Sequence, residues 1–258
     1  MVQDPAQREG YDEDWLEEHY ENTYRYIKQF KSLLITRAGY RKYFCKVIKD
    51  PKTGEKKLVP EAPFYSMYNI AESIFTPHKV VWREQASFLT AAVVGSDERL
   101  GKVVIPDHKL MYVPLASQQE ADYLCAVLNS STAQLIAKSY SIETSTSTHI
   151  LQNIAVPKFD RSNEIHGQLV DLSRQAQTLA GTLAESADQS GVDAEEMLFA
   201  DQEQHGKRAK RLTEAARVKM EKELDVVQKA VDSAAASLWD ITKSELDAIN
   251  TALAEFSQ

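Results

Sequence analysis

The sequence is poor in cysteine, lacks long apolar runs, and carries none of the common catalytic motifs; each absence excludes a class of protein. Cys45 and Cys125 are its two cysteines in 258 residues. They are too few for a disulfide framework, so a reducing, cytoplasmic setting is expected. No apolar stretch approaches the roughly 18 residues that a membrane span needs. The N-terminus is acidic where a secretory signal would be basic, and no membrane partner is expected. The histidines His19, His78, His108, His149, His166 and His205 fall at no metal-ligand spacing, and neither HExxH nor CxxC occurs. Between Gly95 and the Gly101-Lys102 pair lie five residues where a phosphate loop has four, and Val103 stands where a magnesium-binding hydroxyl is required. A polar hairpin turn is the better reading of that segment. An Asn-Pro-Pro-aromatic stretch is also absent, as is any glycine-rich loop able to cradle an adenosyl group.

What the chain does have is charge, unevenly spread. The total is −8, which argues against a uniformly basic coat but not against a local basic face. Residues 4–21 hold eight acids against Arg8 alone, whereas residues 25–57 hold eleven bases against only Asp50 and Glu55. Part of this separation suits a helix. Leu16, Tyr20, Tyr24, Ile27, Phe30 and Leu34 recur at three- and four-residue steps, which predicts one amphipathic helix over 12–37, capped by Asp12 and ended by Gly39. Acids in its first turns and bases in its last suit the helix dipole. Arg41, Lys42, Lys46, Lys49, Lys52, Lys56 and Lys57 lie beyond that helix, and the dipole does not account for them.

After Gly39 the texture becomes β-rich. Tyr43–Ile48, a turn at Asp50–Gly54 and a return at Lys57–Val59 read as a hairpin. Further strands are expected at Lys79–Arg83, Phe88–Val94, Lys102–Ile105, Leu110–Leu115 and Ile150–Val156. Ser117 and Glu120 box the start of one helix carrying Leu124, Leu128, Leu135 and Ile136. From residue 161 onward the strands stop. Stripes at 165–183 and 220–238 predict an antiparallel helix pair over 161–186 and 207–238, and Thr242 with Glu245 boxes a last helix. The expected architecture is α+β: an N-terminal helix (1–36), a mixed sheet domain with a packed helix (37–160) and an antiparallel helical arm (161–258).

Two weak chemical signals stand in this frame. Asp107-His108-Lys109 has the carboxylate-x-lysine spacing of a metal-dependent nuclease, but the same spacing recurs at Asp50–Lys52 and Glu55–Lys57, and no second acid accompanies it. Ser139–Thr148 is richer: seven of its ten residues are Ser or Thr, small donors and acceptors that reach phosphates and base edges alike. A plain surface connection has the same composition.

Between residues 37 and 160 the sequence stops being generic. Arg37-Ala-Gly-Tyr-Arg-Lys-Tyr-Phe44, Pro63-Phe-Tyr-Ser-Met-Tyr-Asn69 and Pro77-His-Lys-Val-Val-Trp-Arg83 occur in order. They are followed by Val104-Ile-Pro106, Tyr112-Val-Pro-Leu115, Tyr123-Leu-Cys-Ala-Val-Leu-Asn129 and Ile154-Ala-Val-Pro-Lys158. This series resembles the TaqI-like C-terminal specificity region of adenine-N6 DNA methyltransferases from restriction–modification and phage-defence systems. The resemblance covers roughly 20–180 and rests on order rather than on one diagnostic motif. It implies a target-recognition region whose partners are double-stranded DNA and a methyltransferase catalytic domain, in cis or as a separate subunit. It also implies that S-adenosylmethionine is bound by that catalytic domain, with no cofactor in this chain, which alone is expected to be non-catalytic.

The residues expected on DNA follow from both lines. Arg41, Lys42, Tyr43, Lys46, Lys49, Lys52 and Lys56 interleave charge with flat rings, as a surface tracking phosphates and bases does; they equally suit a helix exit whose rings turn inward. Tyr65, Tyr68 and Asn69 are added, Asn69 for its capacity to pair with adenine, although aromatic residues here also suit a core. Lys79 and Arg83 alternate on one side of a strand whose Trp82 faces the core. Ser145, Thr146, Thr148 and His149 complete the set. Two other readings remain at this stage: a helical protein–protein adaptor without a DNA role, and a nuclease-associated domain.

Isothermal titration of the chain with S-adenosylmethionine is expected to show no stoichiometric micromolar binding. Such binding would contradict the reading of the absent cofactor loop.

Overall fold

The computed structural model describes residues 2–4, 6–51, 54–68, 70–97, 101–140, 148–188 and 213–256. The architecture is α+β, with helices predominating toward the C-terminus. By packing, the chain divides into two units, Met1–Phe75 and Thr76–Gln258.

The first unit begins with a short antiparallel pair, β1 (Gln3–Asp4) and β2 (Glu9–Gly10). The continuous helix expected over 12–37 is instead three short ones, α1 (Glu13–His19), α2 (Glu21–Lys28) and α3 (Lys31–Leu34). Asp12 caps α1 as expected, its carboxylate accepting from the Asp14 and Trp15 N–H groups. The backbone leaves helical geometry at Tyr20 and again at Phe30. The physical reason is convergence. The bends bring Leu16 and Tyr24 into one core with Tyr40, Phe64 and Tyr65, while Tyr20 and Phe30, on the same nominal stripe, stay exposed. Glu13 holds α1 to the next two helices, accepting from the Tyr24 hydroxyl at 3.0 Å and the Lys31 ammonium at 3.2 Å. Gly39 does not end a helix; it lies inside α4 (Ala38–Tyr43). Then follows the expected hairpin, β3 (Cys45–Lys49) with β4 (Lys56–Pro60). Residues 37–75, grouped in sequence with the sheet that follows, thus share their core with the N-terminal helices.

The second unit is built on a three-stranded antiparallel sheet. β5 (His78–Arg83) lies between β6 (Ala91–Val94) and a later strand. After β6, β7 (Ser96–Asp97) pairs with β8 (Lys102–Val103), and β9 (Leu110–Leu115) completes the sheet. Helix α5 (Gln118–Asn129) starts at Ser117, whose hydroxyl accepts from the Glu120 N–H. Where one helix is expected there are two: the chain breaks at Ser130 and restarts as α6 (Ser131–Tyr140). The break is fastened from α8 (Glu214–Ala236). Its Asp232 accepts from the Ser131 N–H at 2.8 Å, at the positive end of α6, and its Gln228 donates to the Asn129 carbonyl at 2.9 Å.

The strand expected at Ile150–Val156 is a 3₁₀ turn over Thr148–Asn153. Ile150 and Ile154 are both buried, but the backbone bonds close locally, Ile154 N–H to Leu151 at 3.2 Å and Val156 N–H to Ile154 at 2.8 Å. Alternating apolar residues indicated the buried side and not the backbone state. Helix α7 (Glu164–Asp188) packs against α8. The pair runs antiparallel, because the end of α8 returns to the chain leading into α7, where Trp239 Nε1 donates to the Ala155 carbonyl at 2.8 Å. The part of the second helix expected at 207–212 lies outside the described residues. Helix α9 (Lys243–Glu255) opens with the full capping box of Thr242 and Glu245 and packs on α6.

An exposed sheet edge is a template for unwanted pairing, and β6 is an edge strand. Its outward backbone groups are taken by helix amides. The Asn129 side chain accepts from the Ala91 N–H at 2.9 Å and donates to the Ala91 carbonyl at 2.8 Å. Gln177 of α7 accepts from the Val93 N–H at 2.9 Å. Asn129→Ala is expected to destabilise the second unit by roughly 1–3 kcal/mol, because it leaves the Ala91 N–H unpaired and its carbonyl with only the weak Cys125 thiol donor. Denaturant unfolding measures this, with faster hydrogen exchange at the Ala91 amide; an unchanged midpoint would show that water replaces the side chain at no cost.

Candidate nucleic-acid interface

Strands β3 and β4 pair Cys45 with Pro60, Lys46 with Val59, Val47 with Leu58, Ile48 with Lys57 and Lys49 with Lys56. Alternation therefore places Cys45, Val47, Leu58, Lys49 and Lys56 on one face and Lys46, Ile48, Lys57 and Val59 on the other. Beyond its base, where Cys45 and Val59 are half-buried, both faces are open: Val47 is 57% exposed, Ile48 48% and Leu58 36%. The tip turns as the sequence suggests, Gly54 adopting φ +72° and its N–H bonding the Asp50 carbonyl at 2.8 Å. The base is tied where the Glu61 N–H bonds the Phe44 carbonyl at 2.8 Å. The result is a two-stranded ribbon, about 17 Å long, with exposed lysines and apolar side chains on both faces.

Of the expected basic residues, Arg41 and Lys42 are exposed on α4, and Lys46, Lys49, Lys56 and Lys57 are exposed on the ribbon. Lys46 forms an ion pair with Glu61 at 3.5 Å, a contact too solvated to tether it strongly. Lys52 lies outside the described residues, as does Asn69. Tyr43 and Tyr68, separated by 25 positions in sequence, stack with ring centroids 4.7 Å apart at 24°. Each is 53% exposed. The Lys42 ammonium lies 4.9 Å from the Tyr43 ring centre.

Tyr65 requires correction. It is 2% exposed and donates its hydroxyl to the Tyr11 carbonyl, and burial pushes its pKa up. The backbone of β2 presses on it so closely that a methyl at Gly10 would stand 2.5 Å from its ring. Tyr65 is a core residue.

Sequence reasoning missed the residues that hold the 63–68 segment in place. Arg37 donates to the Leu34, Phe64 and Ser66 carbonyls. The buried Gln3 amide makes a two-way pair with the Met67 backbone, at 3.0 and 3.1 Å. Gly39 leaves the space in which Tyr68 lies, since a methyl there would stand 2.6 Å from the ring. Glycine inside a helix costs up to about 1 kcal/mol relative to alanine, so this space is kept against local preference. A signal existed in the aromatic density of residues 63–69, but not its partners.

In the second unit, Lys79 is also corrected. It shares a sheet face with Val81 and Arg83, yet it is fully buried, donating to the Thr76 and Val104 carbonyls. That face of β5 is covered as well as the core face, so alternation did not mean exposure. Arg83 is exposed and lines a cleft with Ala86, Phe88 and Thr90. His149 is exposed in the 3₁₀ turn that Thr148 opens. Ser145 and Thr146 lie outside the described residues, and so does most of the Ser/Thr run. Asp107 of the carboxylate-x-lysine motif forms a surface turn, accepting from the Lys109 N–H and from His108. Among the described residues, no group of three or more His, Cys, Asp and Glu side chains could hold a metal, and no helix is long and apolar enough to cross a membrane.

Burial lowers the pKa of Lys79 below its ordinary 10.5. The unfolded chain then binds the proton more tightly than the folded one, so stability rises with pH between the lowered value and 10.5. Lys79→Met should lack this rise. Urea unfolding across that interval is expected to show wild type gaining on the variant as pH increases; parallel pH dependences would contradict the assignment.

Comparison of the chain with protein-family models, with curated proteins and with solved structures gives no match.

Proposed function

We propose that this chain recognises duplex DNA as the specificity region of a site-specific adenine-N6 DNA methyltransferase, with the first unit making the principal contact. The observation that carries the DNA contact is the β3–β4 ribbon, exposed on both faces and bearing Lys46, Lys49, Lys56 and Lys57. A two-stranded ribbon is one of the two elements that the major groove admits. Lysines on its two faces would reach the phosphate walls on either side, while Val47, Ile48 and Leu58 offer apolar contact of the kind that reads thymine methyl groups. Arg41 and Lys42, on the helix leading into the ribbon, extend the basic surface along the backbone.

The methyltransferase assignment rests on the ordered motifs between Arg37 and Lys158. In this reading methyl transfer and S-adenosylmethionine belong to a catalytic domain, joined in cis or as a separate subunit, and the present chain contributes sequence choice. His149 and the Ser/Thr run before it would add hydrogen-bonding contacts to bases. Arg83 is the candidate phosphate contact of the second unit.

Each lysine that neutralises a phosphate releases counterions, with a salt slope of about −0.9 per contact. Replacing Lys49, Lys56 and Lys57 together with alanine is expected to weaken binding to all duplexes. The slope of log affinity against log salt should flatten by up to about 2.7. Fluorescence anisotropy at low salt measures both, with circular dichroism as the fold control. Unchanged affinity and slope in a folded variant would remove the ribbon from the interface.

A further inference from the structure

Resting on the DNA reading above, we propose that the stacked Tyr43–Tyr68 pair is a platform for an unpaired nucleobase, so that the chain also engages single-stranded or locally opened DNA. The two phenol rings, stacked at 4.7 Å, cover each other's inner faces, yet each residue stays 53% exposed, so the short stack is open to solvent and can be extended by a further flat ring. The pair is constructed, not incidental. Gly39 is one helical turn before Tyr43, and its missing side chain is what lets the Tyr68 ring lie against α4, where a methyl would stand 2.6 Å away. The Gln3 amide fixes the Met67 backbone immediately before Tyr68. Met67, next to Tyr68 in sequence, is itself 40% exposed.

Charge selects the occupant. Lys42 stands over Tyr43, and Arg41 and Lys46 flank it in sequence, exposed on α4 and β3. An aromatic platform among cations is complementary to a flat, uncharged ring carried on an anionic backbone, which describes a nucleotide. Inside a duplex both faces of each base are covered by stacking neighbours, so only a base outside the stack can lie on the tyrosines. The ribbon and the platform would therefore read different states of DNA, the ribbon a groove and the platform an unpaired base.

The test compares binding of a short oligothymidylate and of a duplex of equal length to the full chain at low salt. Tyr43→Ala and Tyr68→Ala are expected to weaken oligothymidylate binding roughly tenfold or more, and by a clearly larger factor than they weaken duplex binding. Tyr68→Phe should bind as wild type, because stacking needs the ring and not the hydroxyl. Gly39→Ala keeps both tyrosines in the sequence but displaces the Tyr68 ring, and it should reproduce the Tyr68→Ala loss in a protein whose thermal melt is not lowered. If the alanine variants leave oligothymidylate binding unchanged, or weaken duplex binding equally, the platform is refuted while the DNA reading stands. If wild type binds neither probe, the DNA reading and the platform fail together.

Discussion

The burial of helix α5 on two opposite sides is the constraint on which the second unit depends. At 3.6 residues per turn, Ala121, Cys125 and Leu128 lie on one face and Tyr123, Ala126 and Val127 on the other. The first set joins the core with Val80 and Trp82 of the sheet, and the second joins the core with Leu169, Val170, Val227 and Val231 of the helix pair. Such a helix has almost no solvent face, so its polar residues must be satisfied internally. Asp122 is fully buried and is held by Arg174 at 2.7 Å and by Gln118 at 3.0 Å. An unpaired carboxylate there would be costly, and the Arg174 contact ties α7 to α5 by charge as well as by packing. The Cys125 thiol is a core group, its pKa pushed up to about 11 chiefly by burial.

The ends of α5 extend the same logic. Its last residue, Asn129, seals Ala91 on the sheet edge. The break after it is held by Gln228 and Asp232 of a helix a hundred positions later. Sheet edge, helix break and helix pair are thus solved by one set of side chains. The Ala91 backbone, the Asn129 carbonyl and the Ser131 N–H are each satisfied by an element that the apolar packing has already brought near.

The first unit is arranged on the opposite principle. Its core is small and aromatic, formed by Leu16, Tyr24, Tyr40, Phe64 and Tyr65, and it reaches the β3–β4 ribbon only at Cys45, leaving the rest of both faces open. An isolated hairpin is marginal in water; the Val47–Leu58 cross-strand pair and the tie at Phe44 and Glu61 supply local support. Surface left open in this way, with lysines on both sides, suits contact with a polyanion better than it suits folding. In the proposed function that exposure is the working surface.

Local chemistry determined much of this from sequence alone. The Asp12, Ser117 and Thr242 caps, the turn at Gly54, the strand at Leu110–Leu115 and the paired stripes of the helical region were legible because each depends on residues a few positions apart. The concentration of lysines after Gly39 was equally plain. Tertiary structure decided what depends on residues distant in sequence. The stripe from Leu16 to Leu34 broke into pieces because a core needed Leu16 and Tyr24 beside Phe64, and no periodicity records that demand. Lys79 and Tyr65 went inside because backbone carbonyls waited there for their donors, whereas Tyr43 and Tyr68 met because Gly39 left room. Sequence specifies which side chains are apolar, charged or small; which of them are covered depends on what the rest of the chain brings to the other side.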